Sequence, residues 1–167
     1  MFISIVRGLQ QLHVMNIFHR DLKSANVFLY HNRPFDDVDV FDPQNDKVVH
    51  EMAKLGDLNV SKVAKEGMLY TQTGTPYYAS PEVWKDLPYD SKSDIWSLGC
   101  VVYEICALVP PFRAENMDGL YKRVLKGQFS RIPKVYSDEL NHVIKKLLNV
   151  NAQGRPTCDQ ILSSQVI

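Results

Sequence analysis

The sequence predicts an α+β fold that is mainly α, and three observations predict it. Apolar residues recur at helical spacing from Phe2 to Leu12. A long apolar segment, Ile95 to Val109, lies between cap-forming residues and a Pro-Pro pair. Only two short stretches, Val27-Phe28-Leu29 and Lys54-Leu55-Gly56-Asp57, read as strands, and each adjoins a polar loop.

In the first helix, Phe2, Ile5, Val6, Leu9 and Leu12 share one face. No cap residue precedes it, the pattern expected of a segment cut from something longer. The polar loop His19–Leu29, HRDLKSANVFL, runs into the first strand. Residues 30 to 53, with two prolines and five aspartates (Asp36, Asp37, Asp39, Asp42, Asp46), have loop composition. They exceed the roughly 12–15 residues usual for such a connection. They fail the EF-hand template, lacking Gly at the sixth position and Glu at the twelfth.

From Ser80 the chain is mostly helical. Ser80 caps a short helix with Pro81 in its first turn. Ser91-Lys92-Ser93-Asp94 opens the apolar helix, which Pro110-Pro111 stops. Residues 116 to 126 form a helix closed by Gly127. Ser137-Asp138-Glu139 starts another, with Lys145 and Lys146 suiting its C-terminal dipole. Thr157 and Gln160 form a capping box for the last.

Composition excludes several function classes. The 167 residues suit one domain or part of a larger one, and 45% hydrophobic content suffices for a core. Lys+Arg and Asp+Glu both number 19, so no net field points to nucleic acid or an acidic membrane. The apolar segment is interrupted by Glu104 and is too short to span a bilayer. Cys100, Cys106 and Cys158 form no CxxC pair and read as reduced cytosolic thiols, and the histidines show no zinc spacing. Trp84, Trp96, Tyr103, Cys100 and Cys106 are expected in the core.

The chemistry sits in the polar loop. Phosphoryl transfer needs a base for the attacking hydroxyl, cations on the phosphates, and hard oxygen ligands for Mg²⁺. Asp21 can accept the proton, Lys23 can neutralise the phosphate, and Asn26 offers an oxygen. Asp57, at the end of the second strand, offers the other.

HRD-L-K-x-x-N followed by a strand and Asp resembles the catalytic and metal-binding loops of eukaryotic protein kinases. Three more motifs follow in family order: Gly74-Thr75-Pro76-Tyr77-Tyr78-Ala79-Ser80-Pro81-Glu82, Ser91–Gly99, and Gly154-Arg155-Pro156-Thr157. The resemblance implies the large, C-terminal lobe of a Ser/Thr kinase domain over residues 1–167, with ATP and Mg²⁺ as cofactors and proteins as substrates. Asp21 and Lys23 would be catalytic, while Asn26 and Asp57 would bind metal and nucleotide. Glu82 and Arg155 would form a buried ion pair, and Asp94 would hold backbone donors of the catalytic loop. Thr75 would shape the acceptor site, and Thr71 would be an activating phosphosite paired with Arg20. GDLNVSKV and GTPYYASPEVW most resemble the NIMA-related group, which implies a cytoplasmic protein of the cytoskeleton, centrosome or cilium.

The sequence also departs from the family. Asp57-Leu58-Asn59 stands where Asp-Phe-Gly is usual. Residues 30 to 53 read as an insertion between the two loops, either genuine or an unspliced intron. The Gly-rich phosphate loop, the Val-Ala-Ile-Lys strand and the partnering Glu, all belonging to the small β-rich lobe, have no match here. The chain alone is therefore expected to be inactive and to need that lobe as its partner. The alternative is a non-catalytic, kinase-like binding or scaffolding module.

Overall fold

A computed structural model describes residues 1–30, 52–56 and 76–164. Among them run α1 (Phe2–Val14), β1 (Val27–Tyr30), β2 (Met52–Leu55), α2 (Pro81–Trp84), α3 (Ser91–Ala107), α4 (Met117–Lys126), α5 (Asp138–Leu147) and α6 (Cys158–Leu162). Five substantial or short helices after residue 80 and one small hairpin make the fold mainly α, as the sequence predicts.

The centre of the core is α3. Twelve of its seventeen residues are buried, because its apolar side chains surround the axis and leave no polar face. It begins at Ser91, where the sequence opens it. Asp90 is the cap, accepting from the backbone N–H groups of Lys92 and Ser93, while Ser93 answers as the other half of a capping box. Asp90, Ser91 and Ser93 are all competent caps, so the sequence leaves the choice to packing. The helix ends at Leu108, which takes the left-handed conformation at φ 59°, before the Pro-Pro pair is reached.

Around α3 the other helices bury one face each. α1 buries Ile5, Val6, Leu9 and Leu12 and packs on β2 and α6. α5 packs directly against α3 and buries Ile144 and Leu147. The caps at Ser137 and Thr157 form as the sequence predicts. Ser80 occupies the cap position of α2, but its buried hydroxyl makes no capping bond there. Trp96 and Tyr103 are buried with all three cysteines, whereas Trp84 is half-buried beside the Tyr121 ring at 5.7 Å. Burial pushes the Cys158 thiol up to about 12 and also raises Cys100 and Cys106, so these thiols are poor nucleophiles.

The hairpin is antiparallel, with Val27 opposite Leu55 and Tyr30 opposite Met52. Tyr30, Met52 and Ala53 are therefore strand residues, although composition places them in the loop of residues 30 to 53. Ala53 is buried in the core, which fixes that end of the hairpin. Residues 31 to 51 lie outside the described residues.

Gly99 sets how closely α3 and α5 approach. A Cβ there would stand 2.9 Å from both Leu147 Cβ and Leu148 Cδ2. Gly99→Ala gains up to about 1 kcal/mol of helix propensity. It loses about 1–3 kcal/mol to overpacking. We expect a net loss on the order of 1 kcal/mol, read as a lower urea midpoint at unchanged slope. A raised midpoint would show that the two helices separate at no cost.

Candidate active site

The site is built on the turn between α1 and β1. Arg20 sits at φ 66°, a left-handed conformation costly for a long side chain. Asp94, fully buried at the start of α3, holds that turn. Its Oδ2 accepts from the backbone N–H of His19 at 2.9 Å, and its Oδ1 accepts from that of Arg20 at 3.0 Å. Two further donors complete the carboxylate: His13 Nε2 from α1 at 2.8 Å and the Tyr89 hydroxyl at 2.5 Å. Burial, with the charge of Asp94, raises the Tyr89 phenol well above its usual range, which keeps it a donor.

This turn presents Asp21. Lys23 Nζ lies 2.7 Å from Asp21 Oδ2, and Asn26 Nδ2 donates to Asp21 O at 2.8 Å and to its Oδ2 at 3.1 Å. Among the described residues Oδ1 of Asp21 takes no bond, and the side chain is one-third exposed, so it faces outward with one oxygen to offer. Asn26 itself is buried in a 3-10 turn, Ser24–Asn26. Because its amide nitrogen is committed to Asp21, its amide oxygen is the atom left for a cation.

The hairpin brings the second strand to the same place. Gly56 N–H donates to Asn26 O at 3.0 Å, and the Phe28 ring lies against Gly56. A Cβ on residue 56 would lie 2.3 Å from Phe28 Cε2, so glycine lets that ring close over the residue before Asp57 and any larger residue would displace it. Asp57 itself lies outside the described residues, as do Leu58, Asn59, Thr71 and Thr75. The Arg20 guanidinium carbon lies 6.0 Å from the centroid of Tyr89.

A second anchor ties residues 76–82 to the helices. Arg155, 1% exposed, donates through Nη1 to Glu82 Oε1 at 2.6 Å and through Nη2 to Oε2 at 2.8 Å. Its remaining donors reach the carbonyls of Lys92, Asn149 and Val150, so all five N–H groups are engaged. The Ser93 hydroxyl adds a bond to Glu82 Oε1 at 2.7 Å. Burial alone would raise the Glu82 carboxyl, but the bonds from Arg155 and Ser93 and the charge of Arg155 outweigh it. The result is a fall from 4.5 to about 2.

Sequence reasoning did not assign His13, Tyr89, Ser93 or Tyr78. The Tyr78 hydroxyl donates to Glu104 Oε2 at 2.5 Å and bonds Ser24 Oγ at 3.0 Å, linking the segment before α2 to the Asp21 loop. Burial and the Glu104 bond raise that phenol to about 12. The His13 and Tyr78 contacts span 26 to 81 positions along the chain, so no local spacing announces them, while Tyr89 and Ser93 reach partners 5 and 11 positions away without any capping or helical signature. His19 was visible in the motif; it is fully buried, and neither ring nitrogen finds a partner.

A mainly helical lobe whose Asp, Lys and Asn converge beside the glycine that follows β2, with a Glu–Arg clamp behind, defines a kinase-like large lobe. The family model described as protein kinase domain matches residues 1–167, and the chain belongs to that family. It is 39% identical to serine/threonine-protein kinase Nek3 of Mus musculus over 163 residues, covering 96% of this chain and 28% of the relative. It is 42% identical to serine/threonine-protein kinase Nek2 of Homo sapiens over 153 residues, covering 90% and 30%. With the probable serine/threonine-protein kinase nek2 of Dictyostelium discoideum it shares 35% over 169 residues, covering 99% and 36%. Within the family the chain is most similar to the NIMA-related kinases, and it spans about a third or less of the length of these curated relatives.

The Glu82 carboxyl is near 2 when folded and about 4.5 otherwise. A lowered folded value means the contribution is whole above pH 4.5 and is lost as pH falls toward 2. Its size is about 3 kcal/mol. Glu82→Gln is expected to lower stability at neutral pH by about that amount and to flatten the decline in acid. Urea unfolding at pH 7 and pH 3 checks this. Parallel pH profiles for variant and parent would contradict it.

Proposed function

We propose that this chain is the acceptor-side lobe of a serine/threonine protein kinase, transferring the γ-phosphate of ATP to Ser and Thr hydroxyls of proteins. The observation that carries this reading is the convergence of Lys23 and Asn26 on Oδ2 of Asp21, which leaves Oδ1 turned outward. In this reading Asp21 aligns an incoming hydroxyl and takes its proton at Oδ1, a general-base role. Lys23 keeps that carboxylate oriented and offers positive charge to the transferred phosphate. Thr75 shapes the acceptor site, and a phosphate on Thr71 would pair with Arg20 and order the segment between.

The donor set fits a magnesium nucleotide. Asn26 through its amide oxygen and Asp57 through its carboxylate would hold Mg²⁺, with phosphate and water oxygens completing the shell. The bound ion would supply neutralisation of the phosphate charge. Phe28, 56% exposed beside Asn26, offers an apolar surface next to these polar groups. Residues 1–167 contain no Gly-rich phosphate loop with its lysine, so transfer requires a nucleotide-covering lobe supplied beyond them. Without it the chain is inactive. A place at the cytoskeleton, centrosome or cilium belongs to the same reading; no described helix is long and apolar enough to cross a membrane.

The test is transfer of radiolabelled phosphate from ATP to casein, with the chain alone and joined to a covering kinase lobe. The chain alone should transfer little. The joined protein should be active, and Asp21→Asn should reduce activity by at least about a hundredfold. Full activity in that variant would remove Asp21 as the base. A joined protein that folds and binds casein yet transfers nothing would favour a binding module instead.

A further inference from the structure

A cavity of about 490 Å³ opens at the C-terminal end of α3, on the far part of the helix from Asp94. Its rim carries four exposed cations: Arg113 from the loop after α3, and Lys122, Arg123 and Lys126 from α4. Its floor combines the Tyr103 and Phe129 rings and the Pro110-Pro111 pair with the polar Gln128 and Ser130. Tyr103 is 5% exposed and meets Phe129 edge to face at 5.6 Å, so the floor is a fixed part of the core.

None of the four cations has a carboxylate within 4 Å among the described residues. The helix dipole explains part of this, since Arg123 and Lys126 lie in the last turn of α4. It does not explain Arg113, which belongs to another segment; Lys122 follows Asp118 by one turn and forms a like-charge pair with Lys126 one turn on. That like-charge pair costs the helix a few tenths of a kcal/mol. Burial raises the Tyr103 phenol, and the charge of Arg113, which lines the same cavity, opposes that rise. In the second cavity, of about 470 Å³, Arg155 and Lys92 already spend their charges on Glu82 and on the Arg155 carbonyl.

We propose that the first cavity binds a phosphorylated peptide, the phosphate on Arg113, Arg123 and the two lysines and a neighbouring apolar side chain on the Tyr103–Phe129 floor. The volume is that of a ligand pocket. Two arginines supply the fork geometry that phosphate oxygens accept in pairs. A concave spot with two aromatic rings among polar groups takes a single inserted side chain and not a bilayer, and it is not the basic stripe that tracks a nucleic-acid backbone. The choice of a phosphorylated protein segment rests on the kinase reading, in which such segments are the product. The lobe would then retain a substrate already phosphorylated nearby.

Binding is read without ATP, so it is separate from catalysis. The probe is a short fluorescein-labelled peptide with one central phosphothreonine flanked by leucines, followed by anisotropy against its unphosphorylated twin. The phosphorylated form should bind at least about tenfold more tightly. Arg113→Gln with Arg123→Gln should abolish the difference, while Lys134→Gln with Lys145→Gln, an equal change of surface charge, and Asp21→Asn should leave it. Circular dichroism confirms that each variant is folded. Equal affinity for the twins, or a difference that survives the arginine substitutions, overturns the proposal. Displacement of the probe by polyuridylate or phosphatidylserine vesicles at lower concentration than by unlabelled phosphopeptide also overturns it, in favour of a general polyanion surface. Loss of binding in Asp21→Asn alone would place the peptide in the active site instead.

Discussion

The arrangement depends first on one buried carboxylate. Asp94 takes four hydrogen bonds from three separate parts of the chain: His13 on α1, the His19 and Arg20 backbone, and Tyr89 before α3. A buried carboxylate so supplied is satisfied, whereas stranding any of its donors costs roughly 1–3 kcal/mol each. The bonds to His19 and Arg20 matter most, because they offset the left-handed conformation of Arg20. That conformation turns the chain so that His19 points into the core while Asp21 points out.

A second anchor works from the other side. The Arg155–Glu82 pair fixes α2 and the segment before it against the base of α3, with Ser93 shared between the capping box and the pair. Arg155 lies over Trp96 at 5.0 Å, Trp96 stacks on Phe112, and Phe112 meets Phe129, which meets Tyr103. The aromatic run thus joins the ion pair to the floor of the basic cavity. Losing its size anywhere, as Trp96→Ala would, opens a hole in the middle of the core.

Much of this was legible in the sequence where the signal is local. Helical spacing marks the buried face of α1, and serine and threonine caps mark α5 and α6, because both depend on neighbours within one turn. Asp21, Lys23 and Asn26 converge because they share six consecutive residues of one loop. Less legible were features decided by distant partners. The choice of Asp90 as cap, the left-handed end at Leu108 and the idle hydroxyl of Ser80 follow from packing. His13 looked like an ordinary helix residue, since nothing near it in sequence mentions Asp94. The four cations around Tyr103 come from two segments that only the fold sets side by side.

The most direct test of the central role of Asp94 is hydrogen exchange at the His19 and Arg20 amides, in the parent chain and in Asp94→Asn. The substitution keeps the shape but replaces one acceptor oxygen with a donor. If Asp94 holds the turn, both amides are protected in the parent, and at least one exchanges about tenfold faster or more in the variant while the amides of α5 do not change. If both amides exchange at the same rate in the two proteins, the turn is held by something else and Asp94 serves only to bind His13 and Tyr89.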